Sequence, residues 1–459
     1  MVVYNRGDTV FKSRPFAFII LNKYRDEVCE FCWEKIKLGL VSCPGCQQTK
    51  YCSQSCLDAG EKEHQEECQI LRSDENQLTE LPDQLRLVLR LWVISKNNEK
   101  NVAEHGAGIS RKWEDLMDHA SDLGRDSQEF IQIQFDTFSR CISSTGMPTL
   151  EQFRSIYGKI LTNSFSLRTD RFSRPEPFGT GVYLLPSLLD HSCIPNCTVV
   201  FRGKELHVVA TEEIPEGRID EVAKISYVNS MDDTSTRQAQ QLGIWYFKCD
   251  CTLCLDKSLD GSKHGVVCDN CGVPSNINVK IWSLIVKCMA CGSQISSSRI
   301  SRYRELFTIL ERAEEINKLR GDEGEETDKM RMEEMGGMSY EELCEWAVGE
   351  MEDVFSERDI VFVKTIHYVH TVCLLNERWM AGCIYGERVL PLFELYYGAN
   401  TGVVAGLYLR LGICYGEEGN LDMSAFYFQK AEDIYRLVPG QEHPFYFEDF
   451  MKIYKTYFH

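Results

Sequence analysis

Alternating apolar and polar positions predict β-strands in two separate parts of the chain. Thr198–Phe201 and Glu205–Ala210 lie on the two sides of Arg202-Gly203-Lys204, which is the pattern of a β-hairpin with a short turn. Near the start, the apolar run Phe16–Leu21 follows Gly7–Ser13, and we predict two short strands there. The sequence therefore predicts β-structure on both sides of a long intervening stretch.

The intervening stretch, residues 69–160, has helical periodicity instead. Pro82 fits the first position of a helix, and an apolar face follows it at i, i+3, i+4, i+7 and i+8. The residues of this face are Leu85, Val88, Leu89, Trp92 and Val93. We predict further helices over Trp113–Leu123 and Ser127–Phe138, with a loop from Asn97 to Gly108.

From residue 300 onward the pattern is again helical. A weak repeat of 42 residues matches Tyr385 with Tyr427 and Tyr408 with Phe450. A repeat of this kind favours helix–turn–helix pairs of the tetratricopeptide type. We expect the repeated aromatic side chains to pack in the core of these pairs rather than to form a peptide-binding stripe.

A loop divides the second group of strands. In Leu188–Cys197, Pro195 and Asn196 interrupt any regular element, and the apolar flanks predict that the loop is buried. Asn163-Ser164-Phe165 ends a predicted helix before this loop, and Ile225-Ser226-Tyr227 follows the hairpin behind it. We therefore expect polar chemistry to be concentrated around this loop.

The 21 cysteines of this 459-residue chain fall mostly in pairs separated by two or three residues. Because the sequence has no secretory signal pattern, this spacing favours metal binding over disulfides. Residues 29–68 alone supply eight candidate ligands: Cys29, Cys32, Cys43, Cys46, Cys52, Cys56, His64 and Cys68. Seven thiols and one imidazole suit two tetrahedral zinc sites.

Two further groups of cysteines follow the loop. Four of them flank a β-type segment, Val279–Val286, and predict a zinc ribbon. These four are Cys268, Cys271, Cys288 and Cys291. Cys249, Cys251 and Cys254 supply only three ligands, so they belong either to a zinc site with a distant fourth ligand or to a group of reduced core thiols.

Composition narrows the class of protein. The chain is long enough for two or three domains, and 43% hydrophobic with 26% charged residues is typical of a globular protein. A net charge of −19 argues against direct nucleic-acid binding but not against binding a basic protein tail. The sequence has no apolar run long enough to cross a membrane. We expect a monomer located in the nucleus and cytoplasm.

The order of these motifs resembles the SMYD family, the SET and MYND domain-containing protein lysine methyltransferases. Tyr51-Cys52 and the cysteine spacings around it resemble a MYND finger, and Leu188–Cys197 followed by Ile225-Ser226-Tyr227 resembles a SET domain. The resemblance implies an α+β multidomain fold. Its parts are a split β-rich SET domain (1–28 and 161–248), an inserted MYND zinc finger (29–68), a helical insertion (69–160), a post-SET zinc segment (249–256), a zinc-ribbon-like insertion (262–295) and a helical, tetratricopeptide-like C-terminal domain (296–459).

The resemblance also implies how the ligands are shared between metals. One zinc of the finger takes Cys29, Cys32, Cys52 and Cys56, and the other takes Cys43, Cys46, His64 and Cys68. The post-SET zinc takes its fourth ligand from the loop, and the set is Cys193, Cys249, Cys251 and Cys254. With the ribbon, four zinc ions per chain are expected.

The activity implied by the resemblance is S-adenosylmethionine-dependent methylation of lysine on a histone or other protein substrate, in transcriptional regulation. The Tyr227 hydroxyl would lie at the end of a lysine channel as the catalytic group. Asn163, Asp190 and His191 would surround the cofactor together with Tyr227, and Phe247 would face the adenine. The finger would bind proline-rich peptides, with a purely structural role as the alternative.

Three features depart from the family pattern. Nothing before Gly7 matches the Gly-rich turn that the family places against the methionine end of the cofactor, so we expect weak cofactor binding. Asp190 stands where the family has Asn, and either Trp245 or Tyr246 stands where it has a second channel tyrosine. The alternative function is a catalytically weak or inactive adaptor that binds partner proteins.

Overall fold

The computed structural model of the chain describes residues 2–36, 39–72, 81–96, 103–142, 147–168, 177–256, 260–279, 282, 285–318, 337–437 and 450–458. The chain divides into two compact units. The first comprises Met1–Tyr227, Ala239–Cys249 and Leu437–Phe450, and the second comprises Val228–Gln238, Asp250–Arg436 and Met451–His459. Within the described ranges, none of the helices combines the length and the apolar content needed to cross a membrane.

The first unit contains most of the β-structure. Its elements, in chain order, are β1 (Val2–Tyr4), β2 (Thr9–Ser13), β3 (Ala17–Ile20), β4 (Val41–Ser42), β5 (Lys50–Tyr51), α1 (Gln54–Leu71), α2 (Asp83–Lys96), β6 (Glu104–Gly106), β7 (Ile109–Arg111), α3 (Arg125–Cys141), α4 (Leu150–Asn163), β8 (Ser164–Leu167), β9 (Gly179–Val182), β10 (Cys197–Arg202), β11 (Glu205–Ala210), β12 (Ile214–Pro215) and α5 (Ile219–Val222). Helix α6 (Thr234–Ile244) contains the boundary between the units at residues 238 and 239.

Two three-stranded antiparallel sheets combine strands from distant parts of the sequence. Their strand orders are β10-β11-β2 and β3-β9-β8. In the first, Leu206 pairs with Ser13, and in the second, Ile20 pairs with Gly179. The predicted hairpin is present as β10 and β11, with Gly203 at the turn in a left-handed conformation (φ 57°). The α+β fold class with a split β-rich domain is therefore confirmed.

Strand β3 separates two hydrophobic clusters. Ala17 and Ile19 pack into the cluster formed with helices α2, α3 and α4. Phe18 and Ile20 pack into the cluster formed by the sheets. Because successive side chains of a strand point to opposite faces, a strand that serves two cores must be apolar at every position. This requirement explains the continuous apolar run at Phe16–Leu21.

The helical stretch was predicted correctly in part. Helix α2 begins one residue after Pro82, and α3 contains the predicted helix over Ser127–Phe138. The predicted loop is wrong at its end, because β6 pairs there with β7. The turn residues Ala107 and Gly108 have φ of 50° and 76°, the conformation of two-residue hairpin turns. Ala-Gly lacks the Asn-Gly or Asp-Gly signature of such turns, and residues 97–102 lie outside the described residues.

The helix predicted over Trp113–Leu123 is wrong. Trp113–Asp115 form a single 3₁₀ turn, after which Leu116 has extended backbone angles. His119 has φ of 48°, which no right-handed helix can include. Trp113, Leu116 and Leu123 are nevertheless buried, so the apolar period reflects the packing of an irregular segment.

A network of buried charges joins α1 to α2. The Arg86 guanidinium lies 2.8 Å from Glu67 and 3.2 Å from Glu30, and that of Arg90 lies 2.8 Å from Glu67 and 2.6 Å from Glu30. Burial alone would raise the pKa of Glu67, but the two guanidiniums outweigh it and hold this pKa well below its usual range. Arg90 also donates to the carbonyl of Phe18 in β3. The network thus ties the helices to the sheet by charge as well as by apolar contact.

We expect Glu67→Gln to lower the free energy of unfolding by about 3–5 kcal/mol, because it leaves two buried guanidiniums with one carboxylate. Chemical denaturation of the zinc-loaded protein measures this loss. The control is Arg125→Ala, which breaks the exposed pair with Glu129 on α3 and should cost less than about 1 kcal/mol. Equal losses in the two variants would contradict the stabilising role of the network.

The second unit is mainly helical. Its elements are α7 (Thr252–Leu255), β13 (Gly265–Val267), β14 (Pro274–Asn276), α8 (Ser297–Lys318), α9 (Tyr340–Met351), α10 (Ile360–Leu375), α11 (Trp379–Tyr397), α12 (Gly402–Glu417), α13 (Leu421–Tyr435) and α14 (Met451–Phe458). Strands β13 and β14 pair within the predicted ribbon. Residues 280, 281, 283 and 284 of its predicted β-type segment lie outside the described residues.

Helices α10 to α13 pack as sequential neighbours. Helix α11 begins at Trp379 and α13 begins at Leu421, which is 42 residues later and agrees with the repeat in the sequence. Tyr408 of α12 and Tyr427 of α13 are buried with ring centroids 6.1 Å apart, as expected for core aromatic residues. The predicted domain boundaries and the tetratricopeptide-like arrangement stay predictions.

The packing of these helices gives a matched pair of glycine substitutions. A Cβ on Gly386 of α11 would lie 2.7 Å from Leu411 and 2.8 Å from His370, whereas one on Gly406 of α12 would meet nothing closer than 3.8 Å. We expect Gly386→Ala to destabilise the protein by about 1–3 kcal/mol through overpacking. Gly406→Ala should be neutral or stabilise it by up to about 1 kcal/mol. Thermal unfolding measures both, and a common shift of Tm would contradict the close packing.

Candidate active site and zinc centres

The loop Leu188–Cys197 pairs through its backbone with the segment that follows α5. The Ile225 N–H donates to Asp190 O at 3.1 Å, and the Cys197 N–H donates to Lys224 O at 3.0 Å. These bonds pair main-chain groups of two segments that are about 30 residues apart in the sequence. The loop is therefore ordered by another loop. Its predicted burial holds for Leu189, Cys193 and Cys197, whereas Asp190 and Ile194 are exposed.

Asn196 reinforces the pairing with its side chain. Its Nδ2 donates to Val222 O at 2.8 Å, and its Oδ1 accepts from the Lys224 N–H at 2.7 Å. An amide can act as donor and acceptor at once, which a carboxylate or a hydroxyl in this position could not do with the same span. The residue that interrupts regular structure in the sequence thus fixes the loop in the fold.

Tyr227 lies two residues beyond this pairing. Its hydroxyl donates to Leu189 O at 2.5 Å. Burial raises the pKa of Tyr227, and the Asp190 carboxylate raises it further. The phenol is therefore neutral in the physiological range, with its proton directed at a carbonyl and its oxygen lone pairs available to a further donor.

Three rings surround the Tyr227 ring. The centroids of Trp245, His191 and Phe247 lie 5.1, 5.3 and 6.3 Å from it. The rings of His191 and Phe247 also contact each other at 5.8 Å. A hydroxyl is thereby placed among aromatic surfaces, which is an arrangement that disfavours water and free charge.

The adjacent residue Tyr246 points elsewhere. Its ring stacks on His119 at 4.9 Å, while Trp245 donates from Nε1 to Thr162 O at 3.1 Å. Tyr246 has φ of 59°, a left-handed conformation that separates the directions of neighbouring side chains. Of the two residues left open by the sequence, Trp245 is therefore the one beside Tyr227.

The side chains of Asn163 and Asp190 bond to groups other than the rings around Tyr227. The Asn163 amide is buried and donates to the carbonyls of Met117 and Lys159, both at 3.0 Å. The Asp190 carboxylate is 74% exposed and pairs with Lys224 at 2.9 Å. Asp190 thus enters the site through its backbone and its field on Tyr227, and the cofactor-binding roles of both residues stay predictions.

His191 connects Tyr227 to the cysteines. Its Nδ1 accepts from the backbone N–H of Tyr227 at 3.0 Å, and its Nε2 lies 3.1 Å from Cys193 Sγ. The Gln241 amide of α6 is fully buried beside it, with Nε2 at 2.9 Å from the imidazole and Oε1 accepting from the Cys249 N–H at 3.1 Å. Sequence reasoning missed Gln241, because nothing distinguishes it from the other glutamines of α6.

Arg111, at the end of β7, was missed as well. Its side chain is buried and donates to the carbonyls of Ser187 and Asp115. Burial lowers the pKa of Arg111, while Asp115, followed by Tyr227 and Asp190, raises it. Arg111 was missed because no strand was predicted between the loop that ends at Gly108 and the helix predicted to begin at Trp113.

Cysteine and histidine side chains form four groups, each with four ligand atoms within 4.8 Å of one another. The groups are Cys29, Cys32, Cys52 and Cys56; Cys43, Cys46, His64 and Cys68; Cys193, Cys249, Cys251 and Cys254; and Cys268, Cys271, Cys288 and Cys291. Four soft donors at this separation fit a structural zinc ion. All sixteen predicted ligands are brought together in the predicted sets.

One finger centre carries an additional support. His64 Nε2 lies 3.2 Å from Cys46 Sγ, so this nitrogen faces the ligand group. Its Nδ1 lies 2.8 Å from Glu67, a member of the buried charge network. A carboxylate on the far nitrogen orients an imidazole toward a metal. The network and this centre are therefore one connected structure.

Comparison with known proteins finds a family model that matches the finger and relatives that match nearly the whole chain. The MYND finger family model matches residues 29–68. The "N-lysine methyltransferase SMYD2-B" of Danio rerio is 23% identical over 445 residues, covering 96% of this chain and 91% of that protein. The human "N-lysine methyltransferase SMYD2" is 22% identical, covering 96% and 91%.

The chain is similar to SMYD proteins along nearly all of its length. A third relative, the "Histone-lysine N-methyltransferase SMYD3" of Mus musculus, is 29% identical over 261 residues, covering 55% of this chain and 58% of that protein. The finger follows β3, and the residues around Tyr227, from Leu189 to Phe247, all come from the part of the sequence that follows the finger and the helical insertion.

The four ligand sets predict four zinc ions per chain, measurable by mass spectrometry on desalted protein. Cys52→Ala should lower the count and destabilise the finger, because structural zinc supplies much of the folding energy of a small module. Cys141→Ala is the control, since Cys141 belongs to none of these sets. A count near two for the unaltered chain would contradict the sets outside the finger.

Proposed function

We propose that the chain is an S-adenosylmethionine-dependent protein-lysine N-methyltransferase. The single observation that carries the proposal is the partly buried, neutral Tyr227 hydroxyl among three rings, in a chain whose relatives are named lysine methyltransferases. The names of the relatives include both N-lysine and histone-lysine methyltransferases, and the proposed substrates are correspondingly histones or other lysine-bearing proteins.

The residues around Tyr227 fit the proposed cofactor. Phe247 and His191 offer ring surfaces to an adenine. The Arg111 side chain offers a buried positive charge with an unused donor to a carboxylate. When bound, S-adenosylmethionine supplies a methyl group activated by a sulfonium.

The chain's own residues would then prepare the acceptor. A lysine amine has an ordinary pKa of about 10.4 and must be neutral to react. Enclosure by Trp245 and Phe247 favours the neutral amine, because the ammonium loses its hydration there. The Tyr227 hydroxyl, held by Leu189, offers lone pairs that orient the amine and stabilise developing positive charge.

Partners and location complete the proposal. The MYND finger would recruit partner proteins, with proline-rich peptides as the proposed ligands. The protein would act in the nucleus and cytoplasm on transcription-related substrates. An adaptor without methyl transfer is the alternative function, since a finger of this kind can bind partners whether or not the other site is active.

We expect Tyr227→Phe to lower turnover by about a hundredfold while cofactor affinity changes little, since it removes one positioned hydroxyl and keeps the ring. Phe247→Ala should weaken cofactor binding by about tenfold or more through loss of ring contact. Calorimetry with S-adenosylmethionine and transfer of labelled methyl to core histones or lysine-bearing peptides measure the two effects. Zinc content and Tm establish that each variant is folded.

The outcomes separate the two candidate functions. No calorimetric signal from the unaltered chain at millimolar cofactor would refute the enzyme and leave the adaptor. Normal turnover by Tyr227→Phe in a chain that binds the cofactor would refute the assignment of this hydroxyl.

A further inference from the structure

Arg111 carries a buried positive charge that forms no ion pair within the described residues, although the Asp115 carboxylate acts on it from a longer distance. Its side chain is 7% exposed, and its two bonds go to neutral carbonyls, Ser187 O at 2.5 Å and Asp115 O at 3.3 Å. Its Nε–H has no hydrogen-bond partner among the described residues. Within this part of the chain, no carboxylate lies at ion-pair distance from the guanidinium.

Two other buried arginines of the same unit, Arg86 and Arg90, are arranged differently. Arg86 and Arg90 each contact two carboxylates, Glu30 and Glu67, and burial is thereby compensated. A guanidinium removed from water without a counter-ion is costly. Burial accordingly lowers the pKa of Arg111 from its usual value. Such a charge is suited to an anion that arrives with a ligand.

The position of Arg111 directs this charge toward the candidate active site. Arg111 bonds to Ser187, two residues before Leu189, whose carbonyl accepts the Tyr227 hydroxyl. The strand opposite Arg111 is fixed as well, because Glu104, which pairs with Arg111 across the hairpin, accepts a hydrogen bond from the Leu185 N–H at 3.0 Å. Both strands of the hairpin therefore brace the segment that leads into the loop, and the charge is preorganised rather than mobile.

We propose that Arg111 recognises the carboxylate at the amino-acid end of S-adenosylmethionine and makes the site selective for a cofactor that keeps this group. The inference rests on the function proposed above. The carboxylate is the one anionic group on that cofactor, whose sulfonium and ammonium are both positive. A guanidinium pairs with a carboxylate through charge-assisted hydrogen bonds, and the unused Nε–H is a donor for one of them.

Repulsion strengthens the expected selectivity. Decarboxylated S-adenosylmethionine has the same adenosine, sulfonium and ammonium but no anion, so Arg111 would repel it. A hydrogen bond to a charged group changes affinity by about tenfold to a hundredfold. We expect the unaltered chain to prefer S-adenosylmethionine over the decarboxylated compound by at least this factor.

The test is calorimetric titration of the full zinc-loaded chain with each of the two compounds. Arg111→Gln keeps a donor for the Ser187 carbonyl and removes the charge, and it should bring the two affinities within about threefold. Arg111→Lys keeps the charge and should retain part of the preference. Lys112→Met removes an exposed charge from the next residue and should leave the preference unchanged.

A preference that is undiminished in folded Arg111→Gln would overturn the inference while leaving the proposed function intact. A second outcome would also overturn the inference: Arg111→Gln no longer reduces the preference for S-adenosylmethionine when Asp190 is replaced by Asn. Asp190, rather than the cofactor, would then be the partner of the guanidinium. Failure of the unaltered chain to bind either compound would overturn the proposed function and this inference with it. Because selectivity is a ratio measured on one folded variant, a uniform loss of stability cannot imitate the expected result.

Discussion

Backbone hydrogen bonds between Leu188–Cys197 and Lys224–Ile225 constrain the position of everything around Tyr227. Main-chain groups of each segment are hydrogen-bonded to the other, and the first segment ends at Cys197, where strand β10 begins. The side chains are then free for other contacts, and His191 uses one ring nitrogen on the Tyr227 backbone and turns the other to Cys193. The Tyr227 hydroxyl is therefore held in a defined position although Tyr227 lies on a loop.

Buried arginines are used in two ways in the same unit. Arg86 and Arg90 are neutralised by Glu30 and Glu67, and they act as internal supports that join two helices and a strand. Arg111 is held by carbonyls, which position a guanidinium without cancelling its charge. The difference lies in the acceptors. Carboxylates complete an ion pair within the fold, whereas neutral carbonyls leave the positive charge of the guanidinium able to pair with an anion of a ligand.

The sequence predicted the parts of the fold that depend on short-range chemistry. Cysteine spacing predicted which cysteines bind metal, because thiols at fixed intervals have few alternatives to a shared metal, and apolar runs predicted β3 and the hairpin. How the finger ligands are shared between two metals, and Cys193 as a fourth ligand, came from the resemblance to the SMYD family. The β6–β7 hairpin was missed because its Ala107-Gly108 turn lacks the usual residues, and Arg111 was missed with it. The partners of Gln241 lie up to 50 residues away, so its role became visible only in three dimensions.

The pairing of β3 with β9 has a consequence for how the chain reaches its fold. Ile20 pairs with Gly179, and the Leu21 N–H donates to Phe178 O, so the whole stretch from residue 22 to residue 177 leaves and returns at one point. During synthesis β3 is made long before its partner β9, and its apolar side chains stay exposed on both faces until β9 is available. Loop-closure entropy grows only slowly with length, but non-local pairing is slow. A finger that has already bound zinc shortens the flexible part of this excursion, so metal supply early in folding would limit the time for which β3 is exposed to aggregation.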